Sequence, residues 1–398
     1  MFNKFKHCLK KISLLNKLNT SLKGFYQYYK NKSELAYYRR QAARHNLKVS
    51  TSDELRIELQ NRLNSKGINP KPKQKGNLHI FLAYEQNNWE SVLPRTLQCF
   101  GKLTTFEWKS SGYNQSSNKW ISVRGEMNNK MLKCFEEADK IQRIDAFVGY
   151  LCGYNISTNI LNEFTKSGTP IFNFCWDDKL FFKGPKIEKR FYGLAEIASS
   201  IDLNLTNAPD SIIKYTVHGG LAKFWPEAAH PDIHKPHECN YLYDVSFVGK
   251  KYGYRPALIN YLRRNGINVT AFGQGWENGS LSDEEMIKLY SKSRINLGFA
   301  GVAQSNKLMC LKGRDFEIPM SGGLYLTQDN PELKLVYAIG NEILTYENKK
   351  ACLEKIKWIL NNPSKAENIR KNGRSRALKD HTWEKRFEEI FRLSHIMA

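Results

Sequence analysis

The residues best placed to do chemistry lie in Leu311-Lys-Gly-Arg-Asp-Phe-Glu-Ile-Pro-Met-Ser-Gly-Gly-Leu-Tyr-Leu-Thr327. Lys312 and Arg314 lead into a short predicted helix, which a Ser-Gly-Gly turn and a buried strand follow. Glu317 falls one helical turn past Gly313, on the first turns of that helix. A carboxylate there can accept two hydrogen bonds from a ribose diol while Lys312, Arg314 and the helix N-terminus hold a diphosphate. Ser321 and Gly322 complete this set of ligand-side candidates. The competing reading of Glu317 is an ordinary solvated or ion-paired helix residue.

Two glycine loops add to it. Lys250-Lys-Tyr-Gly-Tyr-Arg255-Pro256 follows a predicted strand ending at Gly249; Gly249 and Gly253 allow backbone to approach a ligand, and Lys250 and Arg255 stand at a helix start that favours an anion. A tight turn with solvated lysines is the alternative. The second loop is Gly273-Gln-Gly-Trp-Glu-Asn-Gly279, in which Gly273, Gly275 and Trp276 are expected to hold a flat base by stacking and backbone hydrogen bonds. It is not the dinucleotide fingerprint, whose third glycine would fall at Asn278, and no G-x-x-x-x-G-K-[ST] phosphate loop occurs.

These residues need strands to place them. From Asn77 onward short apolar runs alternate with helix-length segments, which implies right-handed crossovers and parallel sheets. The first series of strands is expected at 78–84, 103–108, 145–150, 170–176 and 202–207, with helices at 89–99, 123–141, 156–167 and 186–200. The second series is expected at 244–249, 268–273, 294–300, 323–327 and 342–346, with helices at 255–265, 283–292, 312–320 and 331–338. Ser282 and Glu285 form a capping box. In open parallel sheets ligands bind beyond the carboxyl ends of the strands, and the glycine loops and Lys312–Glu317 all lie there. The expected architecture is α/β, with two doubly wound Rossmann-like domains facing each other across a cleft behind a basic helical N-terminal arm. The expected boundaries are 1–76 for the arm and its Pro-Lys linker, 77–236 and 237–379 for the two domains, and 380–398 for a last helix.

The region 246–386, with Arg314-Asp-Phe-Glu317, Ser321-Gly-Gly323 and His381-Thr-Trp-Glu-Lys-Arg386, resembles the group 1 glycosyltransferases of the two-Rossmann-domain GT-B fold, in the CgeB-like branch. The resemblance implies a nucleotide-diphosphate sugar of UDP or GDP type bound by the C-terminal domain as co-substrate. It puts Glu317 on the ribose and Lys312, Arg314 and the loop after Gly249 on the diphosphate, and it has the helix after His381 cross back to the N-terminal domain. Many retaining members carry a glutamate eight positions before the ribose-binding one; here that position is Met309, so stereochemistry does not carry over. If the reaction inverts, a base must take the acceptor proton, and Glu85 and Asp177, at the ends of N-terminal strands, are the candidates. Fixed cations can stabilise a leaving diphosphate, so no metal or other cofactor is expected. The adjacent Asp177-Asp178 pair reads as a polar turn, and His218 as structural.

Composition sets outer bounds. With 398 residues, 41% hydrophobic and 12% aromatic, the chain can build real cores, which excludes whole-chain disorder, collagen and coiled coil. Its net charge of +22 is lopsided: residues 1–76 hold 18 Lys and Arg against 4 acids, hence +14. Phe2, Phe5, Leu9, Ile12 and Leu15 recur at helical steps among lysines, so residues 1–22 are expected to lie on an anionic membrane surface. Scattered cysteines and the lack of a signal-like start lead to the expectation of a cytoplasmic protein peripheral to the inner face of the membrane. The expected function is transfer of a sugar to a glycan, lipid-linked or protein acceptor in surface polysaccharide, lipopolysaccharide or glycoconjugate synthesis. The alternatives are a sugar-nucleotide epimerase of the same fold and a non-catalytic glycan- or nucleic-acid-binding protein.

Overall fold

Most of the continuous apolar runs become parallel strands buried on both faces, while the edge strand Gly101–Glu107 stays largely half-exposed. The computed structural model that shows this describes residues 2–86 and 89–398, with backbone alone for 2–21 and Trp89. The first series comprises β1 (Leu78–Tyr84), β2 (Gly101–Glu107), β3 (Ala146–Gly149), β4 (Ile171–Cys175), the two-residue β5 (Lys186–Ile187) and β6 (Arg190–Phe191), β7 (Leu203–Thr206) and β8 (Ala222–Phe224). Six of them form a parallel sheet in the order β2-β1-β3-β4-β7-β8, while β5 and β6 pair as a separate antiparallel hairpin. The second series is β9 (Tyr243–Val248), β10 (Val269–Phe272), β11 (Ser293–Leu297), β12 (Tyr325–Gln328) and β13 (Leu344–Tyr346), in the parallel order β10-β9-β11-β12-β13.

Each sheet belongs to its own compact unit. The six-stranded unit comprises Glu34–Pro226 and Trp383–Ala398, and the five-stranded unit comprises Met1–Ser33 and Glu227–Thr382. In the six-stranded unit Phe81, Phe135, Phe147 and Phe164 pack ring against ring beneath the sheet. In the five-stranded unit Val245, Phe247, Ile295, Leu297 and Leu326 form the sheet's buried layer, covered by Leu258, Ile259 and Leu262 of the Arg255–Arg264 helix. Ser282 and Glu285 make both hydrogen bonds of their capping box at the start of the Asp283–Lys292 helix.

Several segments depart from expectation. Helix α1 (Phe2–Arg44) and helix α2 (Ser52–Ser65) form the helical arm that was expected, but α2, polar and charged in sequence, is packed along one face. Leu55, Leu59 and Leu63 of α2 are buried, each contributing about 1.5–3 kcal/mol, and a Thr51–Glu54 capping box starts the helix. The Pro-Lys stretch is tied down as well. The Lys73 N–H donates to the Ile396 carbonyl (2.9 Å), the Lys73 carbonyl accepts from the Ala398 N–H (3.0 Å), and the Lys73 ammonium meets Asp145 at 2.7 Å. Lysines that looked solvated in sequence thus find carboxylate partners that are distant along the chain.

The helix expected over 186–200 is instead the β5–β6 hairpin followed by a single turn, Leu194–Ile197. Gly193 sets this: a Cβ there would lie 2.2 Å from Lys183 carbonyl carbon and 2.3 Å from Gly184 nitrogen, so the chain folds back on itself. The 331–338 segment forms a 3-10 helix, Pro331–Leu335, and β8 is a sixth strand too short for its period to show. The Trp383–Leu393 helix packs in the six-stranded unit, with Trp383 5.6 Å from Trp176 and 5.8 Å from Trp225, and Trp225 Nε1 donating to the Arg386 carbonyl (2.9 Å).

Candidate functional site

The carboxyl ends of β9 and β11 and the Arg314–Met320 helix bring three cations together in the five-stranded unit. Gly249, directly after β9, adopts φ +147, open to glycine but not to side chains. A Cβ on Gly249 would lie 2.7 Å from Arg314 Nη1 and 3.4 Å from Arg255 Nη1, so both guanidiniums converge on this backbone. Each spends a nitrogen on main chain: Arg255 Nη1 donates to the Lys250 carbonyl (2.8 Å) and Arg314 Nη1 to the Val248 carbonyl. The flat guanidiniums rest on aromatic faces, Arg255 4.2 Å from the Tyr252 ring centroid and Arg314 5.7 Å from that of Phe247. Lys312 Nζ donates to the Gly301 carbonyl (2.9 Å), in the loop after β11.

Nearby acids leave much of this charge uncompensated. Asp315 is fully engaged, its Oδ1 accepting from the Tyr325 hydroxyl (2.7 Å) and its Oδ2 from the Lys312 N–H (2.8 Å). Burial pushes the Glu317 carboxyl up to about 7, with Arg314 opposing and Asp283 adding to the rise. Its nearest basic side chain is His234, whose Nε2 is 4.0 Å from Glu317 Oε1. The His230 N–H donates to His234 Nδ1 (3.1 Å), which places the imidazole proton on Nε2, and burial holds His234 down at about 4, so the ring is neutral at physiological pH. Burial and then the Arg314 charge pull Arg255 down to about 10. Burial pulls Lys312 to about 8, a fall that Cys310 opposes and Arg314 and Arg255 reinforce. Three crowded cations beside a half-neutral carboxyl are destabilised as they stand, and a multivalent anion relieves them.

Gly313 belongs to the same site. Its backbone runs close to Glu317, and a Cβ on it would lie 2.9 Å from Glu317 Oε1 and 3.7 Å from Glu227 Oε1. Beside Arg255 lies a small pocket of about 10 Å³, room for roughly one water, lined in part by Tyr252, Phe299, Gln304 and Gln328. The buried Gln304 Oε1 in its wall has no hydrogen-bond partner.

Four expectations need correction. The Arg314–Met320 helix contributes its side chains more than its end, because the N–H groups of Asp315, Phe316 and Glu317 are already bound to the Lys312 and Gly313 carbonyls at 2.8–2.9 Å. Ser321 and Gly322 sit at the opposite end of that helix, buried; Ser321 is its C-cap and the Gly322 carbonyl accepts from Arg370 (2.8 Å), so neither faces the cations. Trp276 is buried against Phe247 at 6.1 Å and donates from Nε1 to the Gly249 carbonyl (2.8 Å), so its ring serves the core and holds the Gly249 turn. Lys250 has an exposed side chain and contributes its carbonyl to Arg255.

Gly273 and Gly275 shape the loop. Gly273, at φ +118, would carry a Cβ 2.6 Å from the Gly249 carbonyl oxygen, and Gly275, at φ +89, would meet Lys251 Cβ at 3.2 Å. Their freedom lets the two loops touch. Sequence reasoning missed His234 and the Gly301–Gln304 loop, which carry no motif, and gave no role to Asp315, although it stands inside the quoted Arg-Asp-Phe-Glu stretch.

In the six-stranded unit, Glu85 and Asp177 lie beyond the carboxyl ends of β1 and β4, with β3 between them. Glu85 Oε2 is committed to two donors, Trp108 Nε1 (3.0 Å) and Gln115 Nε2. Asp177 presents an exposed carboxylate whose Oδ2 accepts from the Tyr150 hydroxyl (3.2 Å). Crowding by the surrounding protein raises its pKa against the pull of that hydrogen bond. Asp178 points the other way, fully buried, accepting from the Tyr215 hydroxyl (3.0 Å) and pushed up to about 6 by burial, so the adjacent pair does not present two carboxylates together. His218 is packed with Tyr38 and Phe182.

Residues 255–392 match the family model described as glycosyl transferase-like. No curated protein matches the chain significantly. Among solved structures it is similar to sucrose-phosphate synthase from Thermosynechococcus elongatus, at 10% identity over 80% of this chain and 98% of that one, with a TM-score of 0.56. A glycosyltransferase from Rickettsia africae gives the same coverage, identity and score. Anabaena HepE, solved in complex with UDP and glucose, is 12% identical over 79% of this chain and 99% of that one, with a TM-score of 0.53. Two Rossmann-like units with parallel sheets and these structural likenesses establish the fold as the GT-B type found in glycosyltransferases.

Proposed function

We propose that the chain transfers a glycosyl group from a nucleoside-diphosphate sugar, held by the five-stranded unit, to an acceptor hydroxyl. The observation that carries this reading is the convergence of Arg255 and Arg314 on Gly249 with Lys312 nearby, one buried and two half-buried cations whose charge the neighbouring acids only partly offset. As the bond from anomeric carbon to diphosphate breaks, negative charge builds on the leaving group. Cations already fixed in place stabilise it without reorganising, each well-placed donor contributing about 2.7–4 kcal/mol. The charge compensation that a divalent ion would supply is then available from side chains. That HepE was solved with UDP and glucose, and that residues 255–392 match a glycosyl transferase-like family, supports a sugar nucleotide as the ligand.

Glu317 is the proposed ribose ligand, its carboxyl next to Gly313 at the edge of the cation cluster. On the acceptor side Asp177 is the better base of the two candidates. Its carboxylate is exposed and its pKa raised, whereas Glu85 Oε2 is already taken by Trp108 and Gln115. The acceptor class proposed is a glycan or lipid-linked saccharide of surface glycoconjugate synthesis.

Thermal unfolding with UDP, GDP and their sugar conjugates tests the donor site. A true ligand at about 100 times its Kd adds about 2.7 kcal/mol of stability. No shift with any of them would remove the enzyme reading.

A further inference from the structure

We propose that the outer face of α1 docks onto an anionic lipid bilayer through Leu22, Phe25, Tyr26 and Tyr29. These residues recur at i, i+3, i+4 and i+7, which puts them on one stripe of the helix. All four are open to solvent, at 66%, 56%, 62% and 47% exposure. Phe25 and Tyr29 touch at 4.4 Å between ring centroids, so the stripe is a continuous apolar surface. The opposite face is the packed one. Gly24 and Asn31 are buried, and a Cβ on Gly24 would lie 2.5 Å from the Gln304 carbonyl oxygen. The exposed stripe is therefore what remains after the helix has satisfied its own unit.

Charge selects the occupant. Residues 1–33 contain eight lysines and no acidic residue, the first acid being Glu34. Lys23, Lys30 and Lys32 are exposed and flank the stripe on either side by helical spacing. Aromatic rings between lysines suit a bilayer interface, where rings enter the headgroup boundary and ammonium groups meet lipid phosphates. No helix among the described residues is long and apolar enough to cross a membrane, which fits a helix lying flat. The stripe expected from Phe2, Phe5, Leu9, Ile12 and Leu15 falls on side chains outside the described residues, so the proposal rests on 22–29. It is independent of the donor-site reading.

The test is sedimentation of the full chain with phosphatidylcholine vesicles, with and without phosphatidylglycerol, for the natural chain and a Phe25→Ser, Tyr26→Ser, Tyr29→Ser variant. The proposal expects the natural chain to bind only vesicles that contain phosphatidylglycerol. It expects the variant to bind them about tenfold more weakly while unfolding at the same temperature and keeping its response to UDP. Equal binding by both proteins, or no binding by the natural chain, overturns it. So does a natural chain that is dimeric and becomes monomeric in the variant without lipid binding, or one that prefers a nucleic-acid fragment to the vesicles. A Lys23→Glu, Lys30→Glu, Lys32→Glu variant provides a second check, because it leaves the stripe intact and should lose the preference for the anionic lipid.

Discussion

Arg314 joins three parts of the site: it donates to the Val248 carbonyl, lies against Gly249 and lowers the pKa values of its neighbours Arg255 and Lys312. Arg314→Ala should weaken nucleoside-diphosphate binding by about 1.5–3 kcal/mol, roughly tenfold to a hundredfold in Kd. Lys312 adds a pH dependence. Its pKa falls from 10.5 to about 8 in the folded chain, so the stability it contributes is present above pH 10.5 and lost as pH falls through about 8. A bound diphosphate favours the protonated amine. Binding at pH 9 should take up a proton, seen by calorimetry in buffers of different ionisation enthalpy, and Lys312→Met should abolish that uptake. Glu317 runs the other way: its pKa rises from 4.5 to about 7, so the stability it contributes is full below pH 4.5 and lost as pH climbs through about 7. Glu317→Gln should therefore raise the melting temperature relative to the natural chain at pH 7.5 and not at pH 4; equal differences at both would remove the carboxyl from this account. Residue types placed after predicted strands were enough to find Lys312, Arg314, Arg255 and Glu317. They could not separate these from Ser321, Gly322 and Trp276, because a residue's type does not reveal which end of a seven-residue helix it occupies or whether its ring is covered.

The loops and α1 are coupled through main chain. Gln304 lies between two glycines, its carbonyl 2.5 Å from where a Gly24 Cβ would stand and its Cα 3.3 Å from where a Gly253 Cβ would stand. Gly24→Val should push α1 off this loop and lower stability by about 1–3 kcal/mol, measured by denaturant unfolding, and it should weaken UDP binding without touching the cations. Unchanged stability would show that α1 does not need this close approach. Strands buried on both faces announced themselves as apolar runs, which is why the sheet strands other than the short β8 fell close to their expected places. The elements that were misjudged depend on contacts far along the chain. The Lys73 N–H is held by the Ile396 carbonyl and its ammonium by Asp145, and the 186–200 segment is folded back by Gly193 against Lys183 and Gly184.

At the scale of the whole chain, the proposed function assigns distinct tasks to the two α/β units. The five-stranded unit concentrates fixed positive charge where its strands end, and the six-stranded unit offers exposed Asp177, held by Tyr150, beyond β4. Asp177→Asn is expected to abolish transfer to an acceptor while leaving the affinity for the nucleotide as it was; loss of both together would assign Asp177 a structural role instead. The central claim, that the five-stranded unit binds a nucleoside diphosphate through its clustered cations, is tested most directly by calorimetric titration of UDP and GDP into the natural chain and into Arg314→Ala. The account predicts saturable binding by the natural chain to at least one of them, weakened at least about tenfold in the variant, with both proteins unfolding cooperatively. Equal affinity in the two proteins, or no saturable binding to the natural chain, would contradict it.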